Sequence, residues 1–366
     1  MSRSLIAHAL LDAQLERRHF SDLPGWPDED HAAAFATFLK SADAEREQRV
    51  SLRPALPTPP IFRRLAERAF AVQKGPRSFF EQNFEPFFVK PDQGSGFLTG
   101  YYEPEIPGSF EKSAAFPVPV LGRPADLVTF TQNETPPAPL DPALSAARRT
   151  STGFEPYFDR AAIEDGALQG QNLELLYLPD RVELFFAQVQ GSARVRLPDG
   201  SVTRLTYAGR NGHAYTTIAR VIRDEGHMPL EAITLESLKS WLRANPDQAR
   251  RIMRLNRSYI FFSLSKTLSE NEGPVGAASI PLDAGRSIAI DRRQWCYGLP
   301  FFITARLPDG DGRESDFSRL MIAQDTGSAI LGAARADLFI GSGAEAGRQA
   351  GRIRHRGDFT VLLPRE

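Results

Sequence analysis

Along the first ninety residues, apolar positions recur with helical spacing. Phe35, Phe38 and Leu39 fall at i, i+3 and i+4 behind the acidic start Asp28-Glu29-Asp30, which predicts an amphipathic helix. The proline-rich stretch 54–60 breaks the pattern. Phe62, Leu65, Ala69 and Val72 resume it up to Gly75-Pro76, and Phe79, Phe80 and Phe84 predict one more helix. Phe87 and Phe88 are assigned to helix core in preference to a sugar platform. At Gly96 the period changes: 96–102 reads as a strand ahead of a Pro/Gly-rich turn, and 135–142 as a surface excursion. Residues 184–189 also read as a strand. Segments 193–197 and 202–207 alternate apolar and polar positions around Asp199-Gly200, a pair suited to a type I′ hairpin whose two central residues need positive φ. Helix returns over 214–225 and 230–255, where Leu235, Leu238, Trp241 and Leu242 share a face and Asn245-Pro246 reads as an N-cap with proline at N1. Beyond Ser258 short strands follow at 259–262, 287–290, 301–304, 320–323 and 359–363, with a helix near 344–353. Evenly spaced short strands predict a closed barrel.

A chain of 366 residues predicts two domains, and 42 % hydrophobic with 24 % charged residues supplies an ordinary globular core. With 44 basic and 45 acidic residues there is no net field to draw nucleic acid or an anionic membrane, so a neutral or mixed-charge polymer is the easier partner. The lone Cys296 excludes an internal disulfide framework and a Cys-rich zinc site. No apolar run is long enough to span a bilayer. Residues 1–11 do not read as a signal peptide.

Several chemistries lack their motifs. There is no Gly-x-Ser-x-Gly elbow and no Walker A loop, and the glycines around Ser95 and Ser342 miss the dinucleotide spacing by one position. The six histidines form no metal-binding pair. No metal and no cofactor is expected, which leaves the carboxylates. Asp325 follows the apolar run 320–323, and Asp337 is followed by Leu338-Phe339-Ile340. A carboxyl set in apolar strand is desolvated and its pKa rises; a neighbouring carboxylate raises it further. A carboxylic acid still protonated near neutral pH is what protonation of a glycosidic oxygen requires. Capping of a turn, or pairing with arginine, is the competing role for each. Asp291, after 287–290, is a third instance.

The tail AIDRRQWCYGLPFF…MIAQDTGSAILGAARADLFIGSGAEAGRQAG resembles the three-aspartate domain, whose aspartates map to Asp291, Asp325 and Asp337. Upstream, GFLTGYYEPEIPGS, YFDRAAIEDGAL, ELFFAQVQGSARVRLPDG and YAGRNGHAYTTIARVI resemble the body of the membrane-bound lytic murein transglycosylase A family. The resemblance runs from about Trp26 to the end. It implies a mainly β fold with N-terminal helices: a double-psi β-barrel (96–106 and 251–366) with a helical region (1–95) packed on it, and an inserted glycan-binding β domain (107–250), with the glycan in a groove between them. It also implies lytic cleavage of the β-1,4 bond between N-acetylmuramic acid and N-acetylglucosamine in peptidoglycan, ending in a 1,6-anhydro product. Asp337 would be the general acid and then the base, and Asp325 the neighbour that tunes or orients it. The implied setting is the periplasm, in association with the outer membrane, although the chain shows neither signal peptide nor lipobox. The chain is taken as a monomer whose partners are glycan strands and cell-wall enzyme complexes.

Substrate contacts are expected from Thr99, Tyr101, Tyr102 and Glu103 at a strand end, and from Gln188, Gln190 and Ser192, spaced two apart on one face of the strand assigned there. Tyr215 and Asp291 complete the set. A solvated strand face explains the polar spacing equally well. Two other functions remain open: a non-catalytic glycan-binding barrel, and a hydrolase of another β-1,4-glycan acting through Asp325 and Asp337.

Overall fold

Asp30 accepts a hydrogen bond from the Ala33 amide at 3.0 Å, and this cap opens helix α1 (His31–Arg46). Prolines open the next two helices, α2 (Pro60–Phe70) and α3 (Pro76–Asn83), the latter behind Gly75 at φ 89°. The structure is a computed structural model describing residues 10–71, 75–130, 134–229, 232–265, 272–309 and 312–365. The readings placed on Val72, on 230–231 and on 1–9 lie outside the described residues. The helical pattern ends earlier than the phenylalanines suggest. Strand β1 (Ala13–Arg17) pairs antiparallel with β2 (Phe84–Pro91), so Phe84, Phe87 and Phe88 stand on a strand and not in a helix.

The chain continues through β3 (Phe97–Glu103), β4 (Glu105–Pro107), β5 (Val118–Leu121), β6 (Leu127–Thr129), β7 (Ala146–Thr150) and β8 (Gly153–Pro156). Helix α4 (Arg160–Glu164) and β9 (Glu174–Leu178) precede α5 (Arg181–Gln190). The strand expected at 184–189 is therefore helix. Asp180 caps it by accepting from the Glu183 amide at 2.7 Å, and Gly191 ends it in the left-handed region at φ 83°. Strands β10 (Ser192–Arg196) and β11 (Val202–Arg210) form the expected hairpin, but its turn is not type I′. Asp199 has no positive φ; Gly200 alone does, at 85°, and its amide donates to the Leu197 carbonyl at 2.9 Å. Helices α6 (Ile218–Asp224), α7 (Leu235–Ala244) and α8 (Pro246–Leu255) lead to β12 (Ile260–Ser265). Then come β13 (Ser287–Ile290), β14 (Pro300–Pro308), β15 (Glu314–Asp325), β16 (Arg335–Ser342), α9 (Gly343–Arg352) and β17 (Arg354–Pro364).

Two compact units result, Met1–Tyr102 with Asn271–Glu366, and Glu103–Glu270. These units divide at other positions than the expected 107 and 251. Strand β4 pairs with β10, and β12 with β11, so both belong to the second unit. The first unit holds a sheet in the order β1-β2-β17-β14-β15-β13-β16-β3. Because β3 also pairs with β17, the strands from β17 round to β3 close on themselves and leave no free edge among them. Inside the closure lie Leu98, Ile288, Phe301, Met321, Leu338 and Val361. On its outer side Phe302, Leu320, Ile322 and Leu362 pack beneath the phenylalanines of α1, α2 and α3. Adjacent Phe301 and Phe302 thus serve two cores, as strand alternation requires. The second unit carries its own sheet, β12-β11-β10-β4, two smaller sheets, and a helical cluster around Phe185, Ile222, Leu242 and Ile252.

Candidate active site

Three strands of the first unit bring two of the aspartates together. Central β13 pairs with β15 on one side and β16 on the other, and Ala289 is in register with both Asp325 and Asp337. The β13–β15 register slips between Ile288, opposite Ala323, and Ala289, opposite Asp325. Gln324 is the residue skipped. Its buried side chain accepts from the Ser287 hydroxyl at 2.6 Å and donates to the Thr37 carbonyl and Ser41 hydroxyl, each at 2.9 Å. The irregularity ties α1 to the sheet and re-aims Asp325, the usual work of a bulge.

Strand alternation fixes which face the site occupies. Ala336 and Leu338 point into the core, so Arg335, Asp337 and Phe339 point to the other side. On neighbouring β3, Leu98 is in the core, and Phe97, Thr99 and Tyr101 take the opposite side. Thr99 donates to Asp337 Oδ1 at 2.6 Å, and Arg335 Nη2 donates to the Thr99 hydroxyl at 2.7 Å. The Tyr101 hydroxyl donates to Asp325 Oδ2 at 2.9 Å, while its ring lies 5.4 Å from that of Phe339. Asp325 Oδ1 accepts further bonds from the Ala277 amide at 2.9 Å and the Thr326 amide at 2.8 Å.

These surroundings separate the two carboxyls. Burial pushes Asp337 up to about 6, and the charge on Asp325 adds to the rise; the Thr99 hydroxyl and the Arg335 guanidinium oppose it. Asp325 is also raised by burial, against two backbone amides, the Tyr101 hydroxyl and the charge of Arg53. Three hydrogen-bond donors support an ionised Asp325 where one supports an ionised Asp337. Asp337 is thus the carboxyl better suited to carry a proton near neutral pH, and it is half-buried, so the acid retains a path to solvent. Burial beside Asp325 also pushes the Tyr101 phenol well above its ordinary value, so it serves as a donor.

The other candidates are placed differently. Asp291 is 1 % exposed, pairs with Arg293 at 2.8 Å and accepts from the Gly332 amide at 2.9 Å. The Arg293 bonds and the amides outweigh burial and lower its pKa. It anchors a loop and leaves little surface at the position where a substrate contact is expected. Tyr102 is buried against Gly347. In the second unit Glu103 is fully buried between Arg194 at 3.1 Å and Arg204 at 2.7 Å. Gln188 and Gln190 lie on helix α5 and Ser192 starts β10, so the three share no strand face. Gln188 is 4 % exposed, accepting from Arg160 Nη1 at 2.7 Å and donating to the Ile260 carbonyl at 2.9 Å. Gln190 and Tyr215 are half-buried, and Ser192 is buried. Sequence reasoning missed Arg335, Phe339 and Arg53; the two-residue offset of Arg335 and Phe339 from Asp337 was the available signal. Among the described residues no cluster of three or more metal-ligating side chains occurs. No described helix is long and apolar enough to cross a membrane.

Comparison with known proteins fits this arrangement. Residues 97–263 match the MltA specific insert domain and residues 286–363 the 3D domain. A membrane-bound lytic murein transglycosylase from Agrobacterium tumefaciens is 38 % identical, with a TM-score of 0.85 over 96 % of this chain and 97 % of that one. MltA from Neisseria gonorrhoeae is 31 % identical, with a TM-score of 0.78 over 96 % and 93 %. Membrane-bound lytic murein transglycosylase A of Vibrio cholerae is 33 % identical over 72 % of this chain. The match spans 64 % of that relative, less than two thirds of its length.

Proposed function

The chain belongs to the MltA family of lytic murein transglycosylases, and on that premise we propose that it cleaves the β-1,4 bond after N-acetylmuramic acid in peptidoglycan, with Asp337 as both acid and base. The observation that carries the reading is the placement of Asp337: its carboxyl sits in a desolvated strand face, accepts from the Thr99 hydroxyl at 2.6 Å and has Asp325 across β13, and burial with the Asp325 charge raises its pKa. Protonated Asp337 donates to the glycosidic oxygen as the C1–O bond breaks. The 6-hydroxyl of the same muramic residue then bonds to C1, and the Asp337 carboxylate takes the hydroxyl proton. The acid is restored, no water is consumed, and the product ends in 1,6-anhydro-N-acetylmuramic acid. One carboxyl suffices, unlike the pair used in ordinary glycoside hydrolysis.

In this reading Thr99 orients Asp337, and Asp325 keeps its proton on. The closed sheet is the double-psi β-barrel of the family, and the protein works in the periplasm, in association with the outer membrane. Digestion of purified sacculi followed by mass spectrometry tests the reaction. Anhydro-muramic ends from the wild type, and almost none from folded Asp337→Asn, are expected. Reducing ends would make it a hydrolase, and binding without release would leave a glycan-binding module.

A further inference from the structure

The strand face that carries Asp337 continues across β3 onto β17. In the antiparallel pairing of these strands Arg354 is opposite Thr99 and Arg356 opposite Phe97, so their side chains emerge on the same side as Thr99. Ile353 and Phe359, of the alternate set, point into the core, which agrees with that assignment. Arg354 and Arg356 are exposed, and among the described residues neither guanidinium has an ion-pair or hydrogen-bond partner. The exposed Asp358, next on this face, lies beyond ion-pair distance of both. Arginines such as Arg194, Arg204, Arg251 and Arg254 are ion-paired, whereas these two stand unpaired on the strand face that carries the acid. Phe97, 41 % exposed, lies between them and Arg335, whose guanidinium is 5.5 Å from the ring centre. The surface beside the acid is therefore an aromatic flanked by cations.

A neutral chitin-type glycan offers two unpaired guanidinium groups hydrogen-bond acceptors but no opposite charge. A muramic residue offers that charge: its lactyl group ends in a carboxylate, or continues into a peptide that carries carboxylates. Guanidinium is suited to planar two-point capture of such groups. Resting on the proposed function, we infer that Arg354 and Arg356 receive the anionic substituent of a muramic residue bound next to Asp337. The site would then select muramic acid over bare N-acetylglucosamine polymers.

Binding is measured in the inactive Asp337→Asn protein, with and without Arg354→Gln/Arg356→Gln, using three probes: peptide-bearing glycan strands, amidase-stripped strands that keep the lactyl carboxylate, and neutral chitohexaose. The double variant is expected to weaken binding of the peptide-bearing strands about five- to tenfold relative to chitohexaose. Arginine-to-lysine replacement restores part of the loss, and added salt reduces the difference. A loss that persists on stripped strands assigns the lactyl carboxylate; a loss confined to peptide-bearing strands assigns the peptide. Equal change for all three probes, or none, overturns the inference alone. Failure to bind any muramic strand overturns the functional reading and this inference with it.

Discussion

Asp325 and Asp337 flank a single residue, Ala289, which is in register with both across β13. Two strand spacings put their Cα atoms roughly 10 Å apart, with both side chains on one face. At that separation the two carboxyls do not share a proton as a contact dyad does, yet the charge on one still raises the pKa of the other. Removing that charge has a definite sign. Asp325→Asn should lower the pKa of Asp337 and move the alkaline limb of kcat/KM to lower pH. Thr99→Val, which removes a donor to the carboxylate, should move it to higher pH. A pH–rate series on the two variants checks this; shifts in the same direction would contradict the assigned roles.

The raised acid should also cost stability once it ionises. The folded pKa of Asp337, about 6, lies above its ordinary value of 3.8, so its contribution is most favourable below the lower value and is lost as pH rises through the upper one. Asp337→Asn should therefore be about 2 kcal/mol more stable than the wild type above roughly pH 6, and lose that advantage below roughly pH 4. Urea unfolding at both pH values reads the difference. Equal stabilities throughout would mean the carboxyl is not strained by burial.

Asp291 behaves in the opposite sense. Its pKa is lowered, so it stabilises the fold above the ordinary carboxyl range, and that stability is lost as pH falls. Asp291→Ala leaves the Gly332 amide and Arg293 without their acceptor. Thermal unfolding at neutral pH should shift down by roughly 5–10 °C.

How much of this the sequence discloses depends on whether the signal is local. The apolar flanks of Asp325 and Asp337 mark both as desolvated carboxyls, and strand spacing places Thr99 and Tyr101 on one face. The register through Ala289 and the slip at Gln324 depend on pairing between distant segments, which no local pattern encodes. Helix α5 reads as a strand because its apolar residues, Leu184 to Ala187 and Val189, form a near-continuous run that fits strand or helix alike. Its punctuation, Asp180 before it and Gly191 after it, held the answer. The polar residue in that run, Gln188, accepts from buried Arg160 and does not belong to a solvated face.

Gly100, between Thr99 and Tyr101, shows why a motif can be visible before its reason is. A Cβ there would meet the Ala350 Cα at 2.8 Å and its carbonyl oxygen at 2.9 Å. Gly100→Ala should push α9 from β3 and destabilise the protein by about 1–3 kcal/mol. Amide hydrogen exchange across residues 343–352 should rise with it; unchanged exchange and stability would mean the helix gives way freely.

The most direct test of the account is the titration of one carboxyl. Carbon-13 NMR of aspartate-labelled protein, with Asp337→Asn to identify the resonance, gives the midpoint of Asp337 in the folded protein. A midpoint of about 6 is predicted. A midpoint near the ordinary aspartate value of about 4 would leave Asp337 ionised at working pH and contradict its role as the acid.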